Sequence, residues 1–76
     1  MLVGDLVYND NFDCECNYKV YDCTEEDTHY DNGAKCIYDA VREGNRKPLN
    51  AILDMQLTYL TVTENCIMIE AKRREY

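Results

Sequence analysis

The sequence predicts a small α+β domain in which one amphipathic helix packs on one face of an antiparallel sheet of about four strands, in the order ββαββ. Two observations support this prediction: apolar residues alternate with polar ones in the first and last thirds of the chain, and they follow a helical spacing between these thirds. A chain of 76 residues holds one modest hydrophobic core, so residues 1–76 are expected to form a single domain.

The first third of the chain is predicted to form a β-hairpin. Residues 2–8 are rich in Leu and Val, and the turn-forming residues 9–11, Asn-Asp-Asn, follow them. Residues 12–23 then alternate between apolar and polar side chains, as expected for a strand with one buried face. Residues 24–32 are mostly polar and acidic, and they are predicted to form a solvated loop.

A helix is predicted over residues 33–43. Ala34, Ile37, Tyr38 and Val41 have the spacing of one helical face, and Gly44 provides a stop. The run from Cys36 to Tyr38 is itself β-prone, so a strand is the competing interpretation.

The clearest pattern lies in residues 56–72, where two β-prone runs flank Glu64 and Asn65. A two-residue loop there would place Thr63 opposite Cys66, Val62 opposite Ile67, Leu60 opposite Ile69 and Thr58 opposite Ala71. Upstream, Pro48 is suited to open a helical turn over residues 49–53, because the first helical position needs no backbone donor. The charged residues 72–76 are expected to form a frayed tail.

These elements together predict one hydrophobic core. Its expected members are Phe12, Cys14, Cys16, Tyr18, Val20, Ile37, Tyr38, Val41, Leu60, Val62, Ile67 and Ile69.

The net charge is −7, and it is concentrated in the N-terminal half: residues 1–39 hold ten acidic and two basic side chains. Such a charge disfavours direct binding to nucleic acid or to an anionic membrane, and it favours a protein partner with a basic surface. The sequence contains neither a membrane-spanning apolar run nor a basic N-terminal signal region, so a cytoplasmic location is expected.

The sequence offers little material for catalysis. It contains no serine and no glycine-rich phosphate loop, and His29 is its only histidine. We therefore expect a protein that is not an enzyme and that carries no cofactor.

Five cysteines are present, an odd number that argues against a secreted disulfide framework. Cys14 and Cys16 share the apolar parity of their predicted strand and are interpreted as small buried side chains. A zinc-binding or redox-responsive module that uses Cys14, Cys16 and Cys23 remains an alternative, although only one close cysteine pair is present where zinc sites usually have two.

Acidic and tyrosine side chains near the loop of residues 24–32 predict a protein interface, since tyrosine suits such surfaces. In general character the chain resembles the small acidic inhibitor and accessory proteins of phages and mobile elements. That resemblance implies a non-enzymatic intracellular interaction module whose partner is a basic, nucleic-acid-binding protein. A homodimer or larger homo-oligomer built through an exposed strand edge is the other alternative. The predicted partner-binding residues are Asp13, Glu15, Tyr21, Glu25, Glu26, Asp27, Tyr30 and Asp31.

Overall fold

Two short helices and four strands form the described part of the chain. The computed structural model describes residues 1–12, 16–44 and 46–74. In chain order the elements are α1 (Val3–Val7), β1 (Tyr18–Asp22), β2 (Lys35–Asp39), α2 (Asn50–Leu53), β3 (Gln56–Thr63) and β4 (Cys66–Lys72).

The four strands form one mixed sheet in the order β2-β1-β4-β3. The two central strands, β1 and β4, are parallel, and Val20 lies opposite Ile69. Each outer strand is antiparallel to its neighbour. The prediction of a small α+β fold with four strands is therefore confirmed, whereas the predicted all-antiparallel arrangement is wrong. The elements follow the order αββαββ instead of the predicted ββαββ, because the predicted first strand is a helix and the predicted central helix is a strand.

The hairpin of β3 and β4 confirms the predicted register over most of its length. Thr63 lies opposite Cys66, and Leu60 lies opposite Ile69. Glu64 and Asn65 have φ angles of 51° and 64°, as a two-residue turn of the type favoured in hairpins requires. The prediction fails near Thr58, because an irregularity between Leu57 and Tyr59 places Leu57 opposite Ala71.

The first predicted strand, residues 2–8, is instead helix α1. Val3 and Val7 stand four residues apart and are both buried, so one helical face meets the core. The Asp5 carboxylate accepts a hydrogen bond from the Leu2 backbone N–H at 2.9 Å, which stabilises the first turn. A short apolar run is consistent with either structure, and packing decides between them.

The helix predicted for residues 33–43 is also wrong, because the chain there forms strand β2. Tyr38 is buried opposite Val20 and packs on Tyr18, with ring centroids 5.3 Å apart. Val41 would share a helical face with Tyr38, yet 66% of its surface is exposed. The helical spacing was therefore coincidental, and backbone pairing with β1 determined the structure.

Two further segments are close to their predictions. The helical turn expected over residues 49–53 is present as α2. The strand expected over residues 12–23 is shorter, since β1 begins at Tyr18. Residues 13–15 lie outside the described part of the chain. At the C-terminal end, Lys72 is the last residue of β4, and the Arg73 backbone N–H donates to Thr24 Oγ1 at 2.9 Å.

The core lies between one face of the sheet and the two helices. The core residues are Val3, Val7, Tyr18, Val20, Tyr38, Ala40, Leu53, Met55, Ile69 and Ala71. Of the other predicted core residues, Phe12, Cys16, Ile37 and Ile67 pack at its margin, and Cys14 lies outside the described residues.

Three predicted core residues are exposed: Val41, Leu60 and Val62. For the two residues of β3, the reason is the difference in length between this strand and the helices. A five-residue helix spans about 7 Å, whereas an eight-residue strand spans about 26 Å. The helices therefore leave the apolar side chains near the β3–β4 turn uncovered.

None of the helices in the described residues is both long enough and apolar enough to cross a membrane.

Candidate interaction site

A wide cleft lies where residues 23–31 face the sheet. Its volume is about 1420 Å³. Its walls are this segment, the first half of β3, Glu70 on β4, and the basic residues 72–74 that follow Glu70. We call residues 24–32 the acidic loop.

Hydrogen bonds within the acidic loop fix its shape. The His29 and Asn32 backbones exchange two hydrogen bonds of 2.9 Å, and the His29 carbonyl also accepts from the Ala34 N–H at 3.2 Å. Thr28 Oγ1 donates to the Glu25 carbonyl at 2.6 Å. The loop is exposed to solvent, as predicted, and these hydrogen bonds hold it in a defined conformation.

Glu70 fastens this loop to the sheet. It is the one charged residue that is buried in the described chain, with 3% of its surface exposed. Its carboxylate accepts a hydrogen bond from the Tyr30 N–H at 3.2 Å and lies 3.1 Å from His29 Nδ1. A buried carboxylate is tolerated when it is paired and hydrogen-bonded in this way.

Cys23 lies close to the same carboxylate, and the pKa of its thiol is shifted mainly by burial. Burial raises the pKa of the Cys23 thiol to about 11, and the negative charge of Glu70 adds to this effect. Because the thiolate is the nucleophile, a raised pKa leaves Cys23 unreactive near neutral pH. Cys23 and His29 both meet Glu70, so these three side chains do not form a chain in which the histidine activates the thiol.

Alkylation of Cys23 should therefore be slow until strongly alkaline pH. Relative to a thiol of pKa 9.0, a pKa of about 11 lowers the thiolate fraction near neutral pH roughly 100-fold. The rate of iodoacetamide labelling, followed by mass spectrometry of the Cys23 peptide, is expected to rise about tenfold per pH unit and to level off only near pH 11, whereas a thiol of pKa 9.0 levels off near pH 9. The same peptide in urea-unfolded protein is the control. Equal rates in the folded and unfolded protein at pH 7.5 would contradict the assignment.

Five of the predicted partner-binding residues come together in the cleft: Glu25, Glu26, Asp27, Tyr30 and Asp31. Tyr21 is half-buried next to them, and its ring centroid lies 6.3 Å from that of Tyr30. The remaining two, Asp13 and Glu15, lie outside the described residues.

The four carboxylates of the acidic loop are exposed to solvent. Within the described ranges, none of them lies within 4.0 Å of a basic nitrogen. On the opposite wall Arg73 pairs instead with Asp22, with Arg73 Nε 3.7 Å from the Asp22 carboxylate. The loop therefore presents charges that no described side chain neutralises.

Cys16 and Cys23, two of the three cysteines of the predicted zinc or redox site, lie in different parts of the fold. Cys16 packs at the margin of the core and Cys23 lines the cleft, whereas Cys14 is outside the described residues. No group of three or more His, Cys, Asp or Glu side chains in the described chain is arranged to hold a metal ion.

Sequence reasoning missed Glu70 and its contact with His29. One signal was present: Glu70 is the only charged residue in the run from Cys66 to Ala71. A lone carboxylate in an apolar strand needs a partner if it is buried. Only the fold shows that the partner is the acidic loop.

Comparison with known proteins gives no further guide to the site, since no family model matches the chain and neither a curated protein nor a solved structure is significantly similar to it.

Proposed function

We propose that this protein is a non-enzymatic interaction module whose acidic loop docks on a basic surface of a protein partner. The observation that carries the proposal is that the loop combines two properties. Its exposed carboxylates have no basic partner among the described residues, and Glu70 holds its conformation. Both properties favour recognition: the charge attracts a basic surface, and the fixed loop loses little conformational freedom on binding.

The basic wall of the cleft limits how a partner can sit. Lys72, Arg73 and Arg74 face the same cleft as the loop. A basic partner is attracted to the loop and repelled by Lys72, whereas Arg73 is already paired with Asp22, so the two walls orient it. The footprint is therefore expected to cover the acidic loop and to avoid the end of β4.

Tyrosine supplies contact area beside the charges. Tyr30 lies in the cleft wall, and its backbone is held by Glu70. A tyrosine ring adds apolar area at little entropic cost and has a polar tip, which suits an interface rim. Nucleic-acid-binding surfaces, which are rich in Arg and Lys, are the class of partner that this combination fits, with carboxylates standing where phosphates otherwise bind.

The test compares two variants with equal net charge. In the loop variant, Glu25→Gln, Glu26→Gln, Asp27→Asn and Asp31→Asn remove four charges without removing a described side-chain hydrogen bond of these residues. The control variant removes four acidic charges elsewhere: Asp10→Asn, Glu43→Gln, Asp54→Asn and Glu64→Gln.

The probe is a fluorescent 20-residue peptide of alternating Arg and Gly, followed by anisotropy in 50 to 300 mM NaCl. We expect the loop variant to bind at least tenfold more weakly than the native protein at 50 mM NaCl, and the control variant to change less than threefold. Native binding should weaken steadily as salt screens the charges. Equal losses in the two variants, or binding that salt leaves unchanged, would refute a role for the loop.

A further inference from the structure

Strand β3 has a free edge that the rest of the described chain covers only at its beginning. The Leu57 N–H donates to the Met1 carbonyl at 2.8 Å, and Leu2 forms an isolated bridge with Gln56. Beyond this point, from Thr58 to Thr63, no described residue pairs with the outer side of the strand.

The hairpin register determines which backbone groups point outwards. A two-residue loop is flanked by a pair that exchanges hydrogen bonds, here Thr63 and Cys66, and such pairs alternate along an antiparallel ladder. Thr61 and Tyr59 therefore direct their N–H and C=O groups towards β4. Leu60 and Val62 direct theirs away from the sheet.

The side chains of these two residues are also available. Leu60 is 46% exposed and Val62 is 67% exposed, and both lie on the sheet face that carries Ile69 and Ile67. No charged residue occurs in β3, whereas the opposite edge strand β2 begins with Lys35 and ends with Asp39. Charged side chains are a common protection of sheet edges, and β3 lacks them.

We propose that β3 pairs with β3 of a second copy of this chain, antiparallel and about a twofold axis at Thr61. In this register Leu60 of each copy lies opposite Val62 of the other, and their outward backbone groups exchange four hydrogen bonds. The axis falls at the middle of the regular, uncovered segment from Tyr59 to Thr63. Four aliphatic side chains then form one continuous strip across the two sheets.

A second copy fits this edge better than a foreign strand does, for two reasons. First, β3 contains no charged residue, although the whole protein has a net charge of −7, so charge cannot select a foreign strand at this edge. The selectivity of the edge therefore rests on strand length and apolar pattern alone. A second β3 matches both by symmetry. Second, an uncharged strand brings no like charges into contact at the axis.

The whole-molecule charge makes a distinctive prediction. Two copies of net charge −7 repel each other at a distance, so salt should strengthen self-association by screening. Binding of a basic partner to the acidic loop has the opposite dependence on salt. The failure of one proposal is therefore distinguishable from the failure of the other.

The first test measures mass in reducing buffer by sedimentation and light scattering at 5 to 500 µM protein and at 50 and 300 mM NaCl. We expect a shift from an 8.9 kDa monomer towards a dimer as concentration rises, at lower concentration in the higher salt. Val62→Pro removes an N–H that points outwards, where edge strands tolerate proline, and should keep the protein monomeric. Val62→Thr keeps this N–H and is the matched control, expected to dimerise.

Val62→Lys is a second disrupting variant, and it leaves the whole backbone intact. A lysine side chain protects a sheet edge from pairing, so this variant should also abolish the dimer. A native protein that stays monomeric at 500 µM overturns the proposal, and so does a dimer that survives both Val62→Pro and Val62→Lys.

The register is tested by Thr61→Cys. At a twofold axis the two positions form a pair that does not exchange hydrogen bonds, with Cα atoms about 4.5 Å apart, which suits a disulfide. Mild oxidation should yield a dimer whose peptide map contains a disulfide between the two introduced thiols. Thr58→Cys, on the same strand but away from the axis, should not link to itself. A dimer in which the thiols introduced by Thr61→Cys stay unlinked overturns the proposed register.

Discussion

Replacing Ile69 with alanine is expected to lower the free energy of unfolding by about 2–5 kcal/mol, the range for deletion of a large buried aliphatic side chain. Ile69 is fully buried on the central strand β4, between Val20 of β1 and Leu60 of β3. Truncation leaves a cavity where the sheet meets the helices. The total stability of a domain of 76 residues is about 4–11 kcal/mol, so the loss is a large fraction of it.

The control for this substitution is Val62→Ala, on the same sheet face and 67% exposed, for which we expect a change within about 0.5 kcal/mol. Urea unfolding followed by circular dichroism measures both in dilute protein. If Ile69→Ala proves too unstable, Ile69→Val should still cost about 0.5–1.5 kcal/mol. Similar losses for Ile69→Ala and Val62→Ala would contradict the placement of the core.

Replacing Glu70 with alanine is expected to have the second-largest effect, a loss of about 2–3 kcal/mol, because hydrogen bonds to a buried charged group contribute about this much. The change removes the acceptor of the Tyr30 N–H and the partner of His29. The loss should be local in origin: hydrogen exchange should accelerate at the Tyr30 amide and through the acidic loop, while the β3–β4 hairpin stays protected.

Glu43→Ala provides the comparison for Glu70, since among the described residues the Glu43 side chain makes only an exposed ion pair with Arg42. Its removal should cost less than about 1 kcal/mol. Unchanged exchange at the Tyr30 amide in Glu70→Ala would show that Glu70 does not hold the loop. The variant also separates loop shape from loop charge. It keeps all four loop carboxylates, so weaker binding of the basic peptide would reflect lost preorganisation.

The β3–β4 hairpin was predictable because its information is local. Alternating apolar residues flank a two-residue turn, and the turn length fixes which residues lie opposite each other. The departure at Thr58 was not predictable, since an irregularity of one residue leaves no mark on the alternation.

The N-terminal half was harder to predict because its segments are short. Five residues of α1 and five of β2 each match a helical and a strand pattern, and tertiary contacts decided between them. The parallel pairing of β1 with β4 was beyond sequence reasoning of this kind. Tyr18 and Ile67 lie opposite each other although they are far apart in the chain, and no local pattern marks such a pair.

Only part of the candidate site was predictable, because local sequence patterns do not show which distant segments the fold brings together. Composition identifies the acidic loop and Tyr30, and the structure brings them to one cleft. The role of Glu70 depends on the position of β4 beside β1, because β1 is followed directly by Cys23 and the acidic loop. Likewise, the exposure of Leu60 and Val62 depends on how short the two helices are.

The parallel pairing at the centre of the sheet also governs how the chain can reach its folded state. β1 can join β4 only after the long intervening segment has closed into a loop, an entropic cost that precedes the gain from pairing. The hairpin bears no such cost and is expected to form early, with the docking of β1 as the slow step. High contact order of this kind predicts folding in milliseconds or longer, which stopped-flow refolding would measure.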